Sequence, residues 1–135
     1  MEVDLAPDEV LTRVLLPSPL PHSGSAYLKY RLREVDTALV GVAVCLQLSD
    51  SGDSIRTARI GLAAAGPTPL RSVAAEEVLS GALAETESLV RAAIAAAATC
   101  EPLSDTEASD WYRRRMVRVF VQRAGGRALE RARAA

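Results

Sequence analysis

Two periodicities divide the chain. Between residues 25 and 64 apolar and polar positions alternate with period two, the spacing of half-buried strands. From Ser72 onward apolar residues recur every three or four positions, the spacing of helices. In 25–33, Ala26, Leu28, Tyr30 and Leu32 share one face, and Tyr27, Lys29, Arg31 and Arg33 the other. In 40–49, Val40, Val42, Val44, Leu46 and Leu48 oppose Gly41, Ala43, Cys45, Gln47 and Ser49. The third strand covers 55–64, and Asp50-Ser51-Gly52-Asp53 is a polar, glycine-containing hairpin turn before it. Residues 34–39 form a short connection, so the strands read as an antiparallel meander. A shorter β-like run at 10–16 is stopped by Pro17, and 17–24, with prolines at 17, 19 and 21, is a loop.

The two halves meet at Gly61-Leu62-Ala63-Ala64-Ala65-Gly66-Pro67-Thr68-Pro69-Leu70-Arg71. Gly66 is expected to take backbone angles closed to other residues, and the two prolines stiffen the turn. Ser72 then caps a first helix over Val73–Leu79, with Gly81 as its stop. The second helix covers 85–99. Glu85 and Glu87 suit its N-terminal dipole, and Leu89, Val90, Ala93, Ile94 and Ala97 form its stripe. The third starts near Ser109 or Asp110, runs to about Ala124 and is broken by Gly125-Gly126, leaving 127–134 as a frayed turn.

Strands followed by helices predict an α+β two-layer sandwich, three to four antiparallel strands packed on three helices, with 1–135 forming a single domain. The Val- and Leu-rich sheet face goes to the core. The other face carries Tyr27, Lys29 and Arg31, then Gly41, Ala43, Cys45 and Gln47, then Thr57 and Arg59. Small in the middle and basic at one side, it reads as plain surface, a docking surface or a pocket floor.

Composition narrows the function. The chain is 49% hydrophobic with a formal net charge of −1, as a folded protein would be. Near-neutral charge and a single Phe and Trp argue against nucleic acid as a partner. The apolar run 92–98 is far shorter than the roughly 20 residues of a membrane span, and the acidic start resembles no signal peptide, so a cytoplasmic location is expected. Cys45 and Cys100 read as two buried, unpaired thiols, and no Cys/His cluster suggests a metal. His22 stands alone in its loop. No catalytic triad or carboxylate dyad is visible, so no catalytic residue is assigned. Arg113-Arg114-Arg115 reads as a solvated helix face, and Trp111 and Tyr112 as core aromatics.

Several motifs occur in a specific order: Pro7-Asp8-Glu9-Val10-Leu11 with Val14-Leu15-Leu16-Pro17; Ser25-Ala26-Tyr27 with Lys29 and Arg31 or Arg33; Ala58-Arg59-Ile60-Gly61 leading to Pro67-Thr68-Pro69-Leu70-Arg71 and Ala75-Glu76; Glu101-Pro102-Leu103-Ser104-Asp105; and Tyr112-Arg113. In this order the chain resembles the C-terminal domain of the FAD-binding (medium) subunit of the molybdenum hydroxylases, the group of carbon monoxide dehydrogenase and xanthine dehydrogenase. The resemblance implies a domain closing over the flavin side of that subunit, with Gly66, Pro67 and Thr68 approaching the cofactor. In such enzymes electrons pass from molybdenum through iron–sulfur clusters to FAD and on to an acceptor.

The glycine-rich diphosphate loops of the family's N-terminal FAD-binding domain are absent from this sequence. FAD is therefore expected only with a partner domain, and none for the isolated chain. One reading is a split or stand-alone part of an oxidoreductase subunit, completing an FAD site with partner chains that carry the FAD domain or the other molybdenum-hydroxylase subunits. The alternative is a flavin-independent module, or a cyclase-type enzyme of specialised metabolism working by positioning, that binds an apolar small molecule. Its pocket candidates are Tyr27, Lys29, Arg31, Gln47, Arg59 and Trp111. A third is a purely structural homodimer.

Overall fold

The computed structural model describes residues 5–33 and 37–135. The acidic start and the first half of the expected 34–39 connection lie outside the described residues. Four strands form one antiparallel sheet in chain order: β1 (Ser23–Tyr30), β2 (Val40–Leu48), β3 (Ile55–Ala63) and β4 (Leu70–Arg71). Three helices follow, α1 (Val73–Leu79), α2 (Thr86–Thr99) and α3 (Asp110–Ala134), as the α+β expectation had it.

Alternation sets the sheet's two faces. Val40, Val42, Val44, Leu46 and Leu48 of β2, with Ile55, Ala58, Ile60 and Leu62 of β3, are buried in the core shared with the helices. Leu89, Ala92, Ala93 and Ala96 of α2 and Val117, Val121, Ala124 and Ala128 of α3 complete it. The alanines permit close approach of helix to helix and sheet, which compensates for their small volume. The turn between β2 and β3 uses Gly52 at φ 77°, and Gly81 at φ 76° ends the α1 segment, both as expected. Ser109 caps α3, its hydroxyl accepting from the Tyr112 N–H at 3.2 Å.

Several expectations fail. The run 10–16 is not a strand. Val10, Leu11, Val14, Leu15 and Leu16 are exposed and join no strand among the described residues, and without a hydrogen-bonded ladder β propensity is weak. Helix α3 does not break at Gly125-Gly126. The pair costs about 1 kcal/mol per glycine in propensity, but the helix gains burial of Ala128, Leu129 and Ala132 beyond it. Gly125 also leaves room for Leu89, whose Cδ2 would stand 2.8 Å from a Cβ there.

The residue with positive φ near the β3–β4 loop is Ala64 (φ 56°) rather than Gly66. Cys45 is exposed, since it points to the open side of β2; only Cys100 is buried. Arg113 is not solvated. It stands four residues before Val117 on the buried stripe, donates to the Leu39 carbonyl at 2.8 Å and pairs with Asp105. Its neighbour Trp111, expected in the core, is 63% exposed, whereas Tyr112 is half-buried and shares a 2.8 Å hydroxyl contact with Tyr30.

Candidate functional site

Register builds the open face of the sheet row by row. Tyr27 pairs with Ala43, Ala43 with Gly61 and Gly61 with Arg71, so one row crosses all four strands. On one side of it lies the row Lys29, Gly41 and Ala63; on the other, Ser25, Cys45 and Arg59. The helices cover the opposite face, so these residues face outward. The two central strands offer only small side chains near the middle, while Tyr27 and Arg71 rise at the sides. The Tyr27 ring leans over Gly41, where an added Cβ would stand 2.9 Å from the phenol oxygen.

Two adjoining hollows follow from this layout. One, about 340 Å³, is bounded by Tyr27, Ala43, Gly61, Ala63, Pro69 and Arg71 among others. The other, about 370 Å³, continues past Tyr27 and Arg71 to Ser25, Cys45 and Arg59.

The Arg side of the face is held from beneath by Glu76 of α1. Its carboxylate is buried, accepts from the Ile60 N–H at 2.9 Å, takes Arg71 Nε at 3.1 Å together with Arg71 Nη2, and lies 3.7 Å from Arg59 Nη1. Burial by itself would push this carboxyl up. The Arg71 hydrogen bonds, the Ile60 N–H and the two guanidinium charges outweigh it and hold the group below its ordinary value. Arg71 is raised in turn by the same partner.

The expected candidates separate in space. Tyr27, Lys29, Gln47 and Arg59 share the open face. Arg31 lies beyond the end of β1. Trp111 lies on α3 and bounds a different groove, about 490 Å³, with Ala97, Arg114, Arg115, Arg118 and Gln122. There the Arg115 guanidinium sits 5.6 Å from the Trp111 ring centre, and Arg114 donates to the Ala97 carbonyl at 2.8 Å. Gly66, Pro67 and Thr68 form the loop between β3 and β4, with Pro67 and Thr68 exposed. That loop is tied to the end of α2 by the Glu101 N–H donating to the Ala65 carbonyl at 2.9 Å.

Sequence reasoning missed Arg71 and Glu76 as site residues. A signal was present: Glu76 sits beside Ala75 and three before Leu79, on the side of α1 that must be buried. A carboxylate there requires a cationic partner. Among the described residues no group of His, Cys, Asp and Glu could hold a metal ion, and no helix is long and apolar enough to cross a membrane.

Residues 25–128 match the family model of the CO dehydrogenase flavoprotein C-terminal domain. The chain belongs to this family. It is 36% identical over 128 residues to the carbon monoxide dehydrogenase medium chain of Afipia carboxidovorans, covering 95% of this chain and 44% of that protein. It is 33% identical over 130 residues to the 6-hydroxypseudooxynicotine dehydrogenase complex subunit alpha of Paenarthrobacter nicotinovorans, covering 96% of this chain and 43% of the relative. Among solved structures, the carbon monoxide dehydrogenase from Hydrogenophaga pseudoflava that lacks the Mo-pyranopterin moiety superposes with a TM-score of 0.81 at 35% identity, over 86% of this chain and 40% of that one. The chain thus spans about two fifths of the length of these relatives. The four-stranded sheet on three helices is this flavoprotein C-terminal domain fold.

Proposed function

We propose that the chain works as the C-terminal domain of a molybdenum-hydroxylase-type flavoprotein subunit, completing an FAD site for electron transfer together with partner chains. The observation that carries this reading is the family match over 25–128, joined to relatives named as the carbon monoxide dehydrogenase medium chain and the xanthine dehydrogenase FAD-binding subunit. The described residues do not by themselves fit a dinucleotide. The glycines with positive φ, Gly52 and Gly81, lie in a hairpin turn and at a helix end, and no glycine-rich turn leads from a strand into a helix to cradle a diphosphate. The grip on the cofactor would come from a flavin-binding domain outside these residues, and the exposed Pro67-Thr68 tip would supply a rigid edge beside it.

The bare apolar side chains of Val10, Leu11, Val14, Leu15 and Leu16 favour the same reading, because apolar surface of this kind marks contact sites. The test is a titration of the purified chain with FAD, alone and with a flavin-domain protein encoded beside its gene. Visible absorbance and co-elution are the readouts. We expect no stoichiometric binding alone, and tighter flavin retention by the pair than by either component. A partner that holds FAD equally well without this chain, and elutes apart from it, would refute the proposal.

A second reading, a flavin-independent module that binds a small molecule, is favoured by one observation: the hollows between Tyr27 and Arg71 on the open face. Concave, mostly apolar surfaces with a few placed polar groups are the usual form of such sites. A cyclase-type activity there would act by holding a substrate in a reactive shape, and a second copy of the chain would cover remaining apolar surface.

A further inference from the structure

The row Tyr27, Ala43, Gly61, Arg71 runs large, small, small, large across the sheet. Strands lie about 4.8 Å apart, so the two walls rise from backbone positions roughly 14 Å apart, over a floor with almost no side-chain relief. That is a trough for something flat. The wall on the β4 side is also chemically prepared. Glu76 engages Arg71 through Nε and Nη2, which fixes the guanidinium plane, while Nη1 has no partner among the described residues. Arg71 lines both hollows, Arg59 lines one, and no carboxylate lines either. Two guanidiniums against the single Glu76 carboxylate leave that wall positive. A planar fork held in place loses little freedom on binding an oxyanion.

We propose that the trough binds a flat small molecule carrying one oxyanion group, a carboxylate or a phosphate monoester. Its ring lies on Ala43 and Gly61 against Tyr27, and its oxyanion takes the free donors of Arg71, with Arg59 beside it. This rests on the second reading above and names the ligand class for it.

Calorimetric titration of the full chain with 2-naphthoate, 2-naphthyl phosphate and 2-naphthol tests it. At least one of the two anions is expected to bind about tenfold or more tightly than the neutral naphthol. Which anion wins separates carboxylate from phosphate. Gly61→Val blocks the floor and removes neither member of the ion pair: a Cβ there meets nothing nearer than the Ala43 Cβ at 3.9 Å, and a β-branched residue suits a strand. It should weaken the anion at least tenfold with the melting temperature kept. Arg71→Lys keeps the charge, loses the fork, and should bring anion affinity toward that of naphthol. Equal binding of naphthol and the anions, weakened by Gly61→Val, overturns the ligand class but leaves a small-molecule site. Anion binding indifferent to Gly61→Val overturns the location. No binding of any probe at millimolar concentration overturns both the inference and the reading beneath it.

Discussion

Gly24 of β1 is where the length of α3 can be tested with one methyl group. A Cβ built there falls well inside contact distance of the Ala128 carbonyl oxygen and the Ala132 amide nitrogen, and 2.9 Å from the Arg131 carbonyl carbon. All three are main-chain atoms of α3 in the stretch beyond Gly125-Gly126. None can swing aside as a side chain tip would, so Gly24→Ala must push helix and strand apart along their shared length. The displaced segment buries Ala128, Leu129 and Ala132, and Arg131 donates to the Ser25 carbonyl beside the contact. Overpacking typically costs about 1–3 kcal/mol, and a backbone obstacle belongs at the upper end, so we expect a loss of about 3 kcal/mol. For a domain of this size that is a fall of roughly 10 °C in melting temperature. Urea unfolding followed by circular dichroism measures it. The matched control is Gly126→Ala. No atom lies within 4 Å of a Cβ there, and the site is interior to the helix, so a gain of about 0.5–1 kcal/mol is expected. A Gly24→Ala protein within about 0.5 kcal/mol of the parent would mean that α3 does not press on β1. A Gly126→Ala protein that is destabilised would mean that the helix ends where its glycines begin.

Acid should unfold the protein partly through Glu76. Its folded-state pKa is below the ordinary 4.5, so its contribution is fully present above that value and is lost as pH falls through the folded pKa; Glu76→Gln should flatten the stability–pH slope below about pH 4.5. Arg113→Ala leaves the Leu39 carbonyl without its buried donor and Asp105 without its cation, and should cost about 3 kcal/mol by denaturant unfolding; a change under about 0.5 kcal/mol would contradict the buried placement. Cys45, being exposed, should react with a thiol reagent in the folded protein. Cys100, buried and with its thiol pushed up by that burial, should react only on unfolding, so one equivalent is expected before denaturant and two after. Replacing Tyr30 and Tyr112 by Phe, singly and together, should show a coupling of about 1 kcal/mol in a double-mutant cycle.

The sheet was legible because period two is unambiguous where one face is buried and the other open. Val40 to Leu48 show it without a break; what the pattern does not show is the register shift between Gln47 and Leu48 beside the hairpin. The open face was legible for the same reason, which is how Tyr27, Lys29, Gln47 and Arg59 were grouped before any coordinates. What failed depends on contacts distant in sequence. Residues 10–16 have the composition of a strand but pair with no strand among the described residues. Gly125 and Gly126 look like a helix end until Leu89 and the close approach at Gly24 are known, because glycine here serves packing rather than chain reversal. Arg113 looks solvated among three arginines until its place four residues before Val117 is weighed. The Glu76–Arg71 pair joins two elements five residues apart and depends on the short strand β4, which sets Arg71 beside Gly61. Trp111 was joined to the open-face candidates by residue type alone, and the fold puts it at a different groove.

The most direct measurement for the functional account is the flavin content of the protein isolated from its own cells through a small affinity tag on this chain. Quantified as moles of FAD per mole of chain, alongside the mass of the assembly, it is expected to approach one in a complex larger than the chain alone. Colourless protein recovered as a free monomer or as a simple pair of identical chains would contradict the flavoprotein role and leave the trough on the open sheet face as the site that matters.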